Sequence, residues 1–167
     1  MAATPHRRGV VHADEAAPLM QGPLGALLLA GPGDTGGPVS FVVHDLAPRA
    51  LGSPLHTHTR EDEWSFVLAG EVGFEIEGTT SSARPGDLVL KPRQLPHAFW
   101  NAGDAPARLL EVITPGGFEE YFVALGEAMA AGPPDPERMA GVAERFGLQI
   151  DRSSMPRLVR DHGLEMR

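Results

Sequence analysis

Between Ala26 and Thr114 the chain reads as short apolar runs of five to eight residues, broken by clusters of glycine, proline and aspartate. The runs predict strands over 26–30, 39–46, 63–70, 71–78, 86–92, 97–101 and 107–114. Within "FEIE" apolar and charged positions alternate with period two, as in a strand with one wet face. "LAGEVGF" sets a glycine between two such runs, which predicts a tight hairpin. Many short strands at nearly even spacing point to an all-β sandwich or barrel. After Pro115 the period changes. Phe118, Phe122, Leu125 and Met129 follow one another at helical spacing, predicting a helix within 116–132 that stops at Gly132 and the two prolines after it. A second helix is expected over 135–147, with Asp135 as its N-cap, Pro136 in its first turn and Gly147 as its stop. Apolar stripes bury, so both helices are expected to pack on the outside of the barrel as a lid. Residues 1–20 and 150–167 show no strong period. They are expected to be an N-terminal arm and a C-terminal tail, either crossing to a partner or mobile.

The chain has 167 residues, 42% of them hydrophobic, enough for one domain with one good core. Its formal net charge of −8 argues against nucleic acid as a partner, and Lys91 is the sole lysine. The absence of cysteine excludes disulfides, thiolate metal sites and cysteine nucleophiles. "ALLLA" at 26–30 is too short to span a bilayer, and, following Asp14 and Glu15, it does not read as a signal peptide. A cytoplasmic protein without membrane contact is the expectation.

The candidate chemistry lies in "SPLHTHTREDEW" (53–64). On a strand, His56 and His58 project to one side and Thr57 to the other. Glu63 opens the next strand, where its carboxylate can face the same interior, and His97 opens "HAFWN". Mixed imidazole and carboxylate sets suit divalent transition metals. The plainer alternative is a solvated turn, with Glu63 one of an acidic trio beside Glu61 and Asp62, and His97 a strand-entry residue.

The spacing of the whole set resembles the cupin superfamily. Its first motif is matched by His56, His58, Glu63 and Gly70, and its second by Gly86, Pro92, His97 and Asn101 in "GDLVLKPRQLPHAFWN". Fifteen residues, 71 to 85, separate the two, as in compact single-domain cupins. The chain departs from the pattern at Ala50 and Gln94, where the motifs have turn glycines. The likeness covers about 38–115; the tail "TPGGFEEYF" onward is similar to small bacterial cupins described as quercetin dioxygenase-like. The resemblance implies a single cupin barrel, a double-stranded β-helix or jelly roll, over 21–115, with a helical extension over 116–149. It further implies that His56, His58, Glu63 and His97 hold one divalent transition metal per chain (Fe, Mn, Ni, Co, Cu or Zn), and that the protein is a homodimer.

Counting by twos from the ligands puts Ser65, Val67 and Phe99 on the ligand face, a pocket for an apolar or aromatic molecule with an oxygen donor. Trp64 and Trp100 fall on the opposite face, under the helices or in a dimer contact. Glu63 is also a candidate proton-transfer base. His44 reads as an ordinary strand residue; His6, His12 and His162, in the terminal segments, are expected in solvent. The expected activity is a dioxygenase-type oxidation of a phenolic or enolic small molecule. A redox-neutral isomerase, epimerase or cyclase and a non-catalytic binding module are the alternatives.

Overall fold

The computed structural model describes residues 9–133 and 135–165; His6 lies outside them. Eleven strands among these residues form two antiparallel sheets that face each other. The strands are β1 (Ala17–Met20), β2 (Leu24–Ala30), β3 (Ser40–Leu46), β4 (Leu51–His58), β5 (Asp62–Ala69) and β6 (Val72–Ile76). They continue with β7 (Thr79–Ala83), β8 (Leu88–Lys91), β9 (His97–Trp100), β10 (Ala107–Thr114) and β11 (Leu148–Asp151). One sheet runs β1-β2-β3-β10-β5-β8 and the other β11-β4-β9-β6-β7. A one-turn helix α1 (Pro32–Thr35) precedes β3, and α2 (Glu119–Ala130), α3 (Pro136–Arg145) and α4 (Met155–His162) follow the barrel strands. The expected all-β jelly roll with C-terminal helices is the observed fold.

Period-two alternation decides what faces the interior. On β5, Glu63, Ser65 and Val67 are buried, while Phe66 and Leu68 are exposed. On β10, Leu109, Glu111 and Ile113 point inward, and on β3 so do Val42, His44 and Leu46. The register Glu111↔Ser65 and Leu109↔His44 lays these inward rows side by side. Two apolar clusters fill the sandwich. Leu46, Val67, Val72, Phe74, Phe99 and Leu109 pack one end. Val42, Ile113, Phe118, Tyr121, Phe122 and Leu148 pack the other.

The pattern missed α4, the short strands β1, β7 and β11, and the longer β4. The hairpin expected at Gly70 is instead a crossing between the sheets, since β5 pairs with β8 and β10 and β6 with β7 and β9. Strand β11 pairs along β4, with Leu148 opposite His58 and Ile150 opposite His56. Helix α4 covers the outer face of the five-stranded sheet. Trp100 is buried there beside Ala98, Leu158 and Leu164, and its ring stacks on His162 at 3.9 Å. His162 is thus half-buried, contrary to the expectation of solvent exposure, whereas His12 is exposed. Arg157 of α4 closes the contact with a two-pronged ion pair to Glu75 on β6 (2.8 and 2.9 Å). Trp64 lies half-buried on the outer face of the other sheet.

Helix α2 is more than an outer lid. Glu119, buried at its start, accepts hydrogen bonds from Ser40 Oγ (2.6 Å) and the Gly117 amide (2.8 Å), which fastens the helix to β3. Phe118, Tyr121, Phe122 and Leu125 then face the barrel interior, while Met129, at the far end of the expected stripe, is 47% exposed. Asp135 caps α3 as expected, accepting from the Glu137 amide at 3.0 Å. Gln94 stands where the motif has a turn glycine, and it adopts φ +70°. Its amide donates to the His58 carbonyl (2.8 Å) and its side chain to the Thr59 carbonyl (3.0 Å). The loop keeps its left-handed turn, at a backbone cost of about 1–2 kcal/mol for a residue with a Cβ.

Candidate metal centre

Strand β4 delivers His56 and His58, β5 delivers Glu63 and β9 delivers His97. All four are buried, and one ligand atom from each lies within 4.8 Å of the others. The pairing His56↔His97 brings the two histidine strands together. The turn of residues 59–61 folds β5 back over the pair. Outside the quartet, Asp62 grips Arg93 through the Arg93 amide (2.8 Å) and guanidinium (2.7 and 3.0 Å). That tie fixes the loop leading into His97.

Each imidazole is aimed. His56 Nδ1 lies 2.9 Å from the Pro54 carbonyl and His97 Nδ1 lies 3.0 Å from the Leu95 carbonyl. A carbonyl can only accept, so both Nδ1 atoms carry the proton and both Nε2 atoms present lone pairs to the centre. His58 Nδ1 stands 3.5 Å from the carboxylate of Glu61, itself buried. Glu63 Oε1 is 3.4 Å from His58 Nε2, and Glu63 Oε2 is 3.3 Å from His97 Nε2. The acidic trio therefore divides its work: Glu61 backs a histidine, Asp62 ties a loop, and Glu63 enters the centre.

A metal fits this cradle on the structure's own terms. Both ring nitrogens of His58 and one oxygen of Glu61 are buried yet make no hydrogen bond among the described residues. Buried polar atoms are rarely left so, and a cation at the quartet would occupy the His58 lone pair. The protonation states agree. Burial, reinforced by the neighbouring His97 and His58, holds the His56 pKa well below its usual value. His97 is lowered too, chiefly by burial. Burial alone would raise the Glu63 pKa, but the neighbouring His58 and the Lys91 ammonium hold it well below the usual range. Neutral imidazoles and an ionised carboxylate are the forms that ligate.

Behind Glu63 lies a charged network that sequence reasoning missed. Lys91, fully buried, donates to Glu63 Oε2 (3.0 Å) and to Glu111 Oε2 (2.8 Å). Ser65 Oγ donates to the same Glu111 carboxylate at 2.9 Å. Burial pushes the Glu111 pKa up to about 7 despite Lys91. The available signal was Glu111 itself, an acid at an inward position of the otherwise apolar run "ARLLEVIT".

The quartet opens on a cavity of about 100 Å³. His44, Ser53, Phe99, Phe118, Tyr121, Phe122, Leu125 and Ile150 are among its walls, with Glu111 and three of the quartet. Phe99 thus lies in the wall. Ser65 and Val67 share its interior but are not among the lining residues: Ser65 is spent on Glu111, and Val67 packs in the apolar core. Gly52 makes room for Phe99, since a Cβ there would overlap its ring. No lysine or arginine lines the cavity among the described residues.

Comparison with known proteins agrees with this geometry. Residues 42–113, which carry both motifs and all four candidate ligands, match the cupin domain family (Cupin_2). Germin-like protein 5-1 of Oryza sativa subsp. japonica is 39% identical over 116 residues, covering 65% of this chain and 51% of the rice protein. The chain spans about half the length of the first curated relatives it matches. Among solved structures, the polyketide cyclase RemF from Streptomyces resistomycificus superposes with a TM-score of 0.57 at 23% identity, over 65% of this chain and 80% of RemF. A cupin sugar phosphate isomerase from Silicibacter pomeroyi superposes at 0.55 with 25% identity, over 64% of this chain and 75% of that one. Motif order, sheet topology and these likenesses converge, and the chain belongs to the cupin superfamily.

Proposed function

We propose that this cupin is a metal-dependent enzyme acting on a small, apolar or aromatic molecule that carries oxygen, with His56, His58, Glu63 and His97 as ligands. The observation that carries the proposal is the buried quartet opening directly onto a cavity walled by phenylalanine, leucine and isoleucine. A divalent metal held there would supply Lewis-acid positions and, if redox-active, dioxygen chemistry. The chain's own part is to exclude water with Phe99, Phe118 and Phe122, and to hold the Glu63 carboxylate in place through Lys91. A phosphorylated substrate, as named for the Silicibacter pomeroyi isomerase, fits poorly with walls that offer no lysine or arginine.

Dioxygenase-type oxidation of a phenol or enol is the first reading, supported by the apolar cavity. A redox-neutral isomerisation or cyclisation is the second, and Glu111 favours it. A carboxyl with a pKa near 7 at a cavity wall can hold and release a proton at neutral pH. Oxygen-uptake assays on phenols and cyclic enols, with metal content measured in parallel, test the choice. Oxygen consumed in proportion to substrate supports the first reading; substrate conversion under argon supports the second; neither, across a broad panel, contradicts an enzymatic role. The proton-transfer role proposed for Glu63 has its own check. Glu63→Gln should abolish turnover with metal retained, whereas loss of the metal would make Glu63 a ligand alone.

A further inference from the structure

One nitrogen in the cavity is not used by the metal quartet. His44 is 2% exposed, at an inward position of β3. Its ring lines the cavity beside Phe99 (centroids 6.1 Å apart) and edge-on to Phe122 (5.0 Å). Its Nδ1 lies 3.1 Å from the Gly25 carbonyl. That carbonyl only accepts, so Nδ1 bears the proton and Nε2 keeps a lone pair. Nε2 has no partner among the described residues. Burial lowers the pKa of the ring to about 4, against the smaller opposing influence of the Gly25 hydrogen bond and the Glu63 and Asp45 charges, while Lys91 lowers it further. The ring is therefore neutral at pH 7. A second polar group in the same wall, Ser53 Oγ, is buried without a partner. Polar atoms beside an apolar cavity cost stability unless water or a ligand meets them.

We propose that the cavity recognises a hydroxyl group on a small apolar ring, and that His44 Nε2 accepts the hydrogen bond from that hydroxyl. This rests on reading the site as a metal centre for a small oxygen-bearing molecule, and it narrows the substrate class to single-ring phenols and cyclic enols with a free hydroxyl. A single ring is the scale that suits it: an engineered apolar cavity of about 150 Å³ takes benzene, and this partly open one offers about 100 Å³. His44 is a specificity residue, not a base. A nitrogen that protonates at about pH 4 holds a phenolic hydroxyl without taking its proton, because phenols ionise at about pH 10. A methyl ether removes the donor and sets a methyl group against the lone pair, so the site rejects it.

The test titrates phenol and anisole into protein carrying ¹⁵N-labelled histidine, metal-free and zinc-loaded, with the ring nitrogens followed by NMR. Two variants accompany the wild type. His44→Asn keeps an N–H for the Gly25 carbonyl but lacks the cavity nitrogen; His44→Phe keeps a ring and loses both nitrogens. The expected result is that phenol shifts the His44 Nε2 resonance and binds at least about tenfold tighter than anisole, with the preference gone in His44→Phe and retained in part in His44→Asn, whose amide oxygen also accepts. Phenol binding with that resonance unmoved overturns the proposal. So does a preference that survives in His44→Phe, equal affinity in the wild type, or no binding of either probe. Zinc uptake on the same samples reports the metal reading separately. If zinc binds and the preference is absent, the hydroxyl proposal falls alone; if no zinc binds, the metal reading falls whatever the probes do.

Discussion

His44 couples the cavity to pH through stability as well as recognition. Its folded pKa of about 4 lies below the value of 6.5 for a free ring, so the unfolded chain takes up its proton first as pH falls. The stability this neutral ring leaves intact is complete above pH 6.5 and is lost progressively as pH drops to about 4. The shift corresponds to about 3 kcal/mol, and the lowered pKa values of His56 and His97 act in the same direction. In metal-free protein, urea denaturation at pH 7 and pH 4.5 should show a clear loss of stability in the wild type. The loss should be smaller in His44→Asn; an equal loss would place the titration elsewhere. The same residue shows where sequence reading stops. The motif resemblance reached the quartet, and counting by twos from it reached Phe99. Neither reached His44 and Glu111, because they lie on β3 and β10, and only long-range pairing sets those strands beside β5.

At the scale of elements, the long apolar runs were legible, and so were the two longer C-terminal helices, α2 by its apolar stripe and α3 by its cap and stop residues. What escaped was short, compositionally plain or, like β4, interrupted by a proline. Strand β7 is "TTSSA", with no alternation to read, and β11 has four residues and gains its identity by pairing with β4. Helix α4 is eight residues long, and its buried anchor is Leu158, which is 0% exposed against Trp100 and Ala98. Leu158→Ala should cost about 2–5 kcal/mol of stability. Because α4 covers the sheet face away from the quartet, metal stoichiometry in the folded variant should not change. Denaturant midpoints and metal analysis on one preparation check both halves; a destabilisation below about 1 kcal/mol would mean that α4 covers little.

Across the whole molecule, one surface is out of keeping with a solitary protein. On the outer face of the six-stranded sheet, Phe66, Leu68, Leu88 and Leu90 are 38–58% exposed. The register Trp64↔Leu90 and Phe66↔Leu88 makes them one contiguous apolar row at the edge strand β8. Such rows are uncommon on monomers, which supports the proposal that a second copy of the chain covers this one. Sedimentation should show a dimer for the wild type and a folded monomer for Leu88→Glu/Leu90→Glu. A wild-type monomer at micromolar concentration would contradict that proposal while leaving the site intact. The central claim is the metal, and elemental analysis of protein purified without added metal, beside a folded His56→Ala/His58→Ala variant, tests it most directly. Near-stoichiometric transition metal in the wild type, lost in the variant, is the expected result. A wild type that carries none, and takes up none on titration with manganese, iron, nickel or zinc, would contradict it.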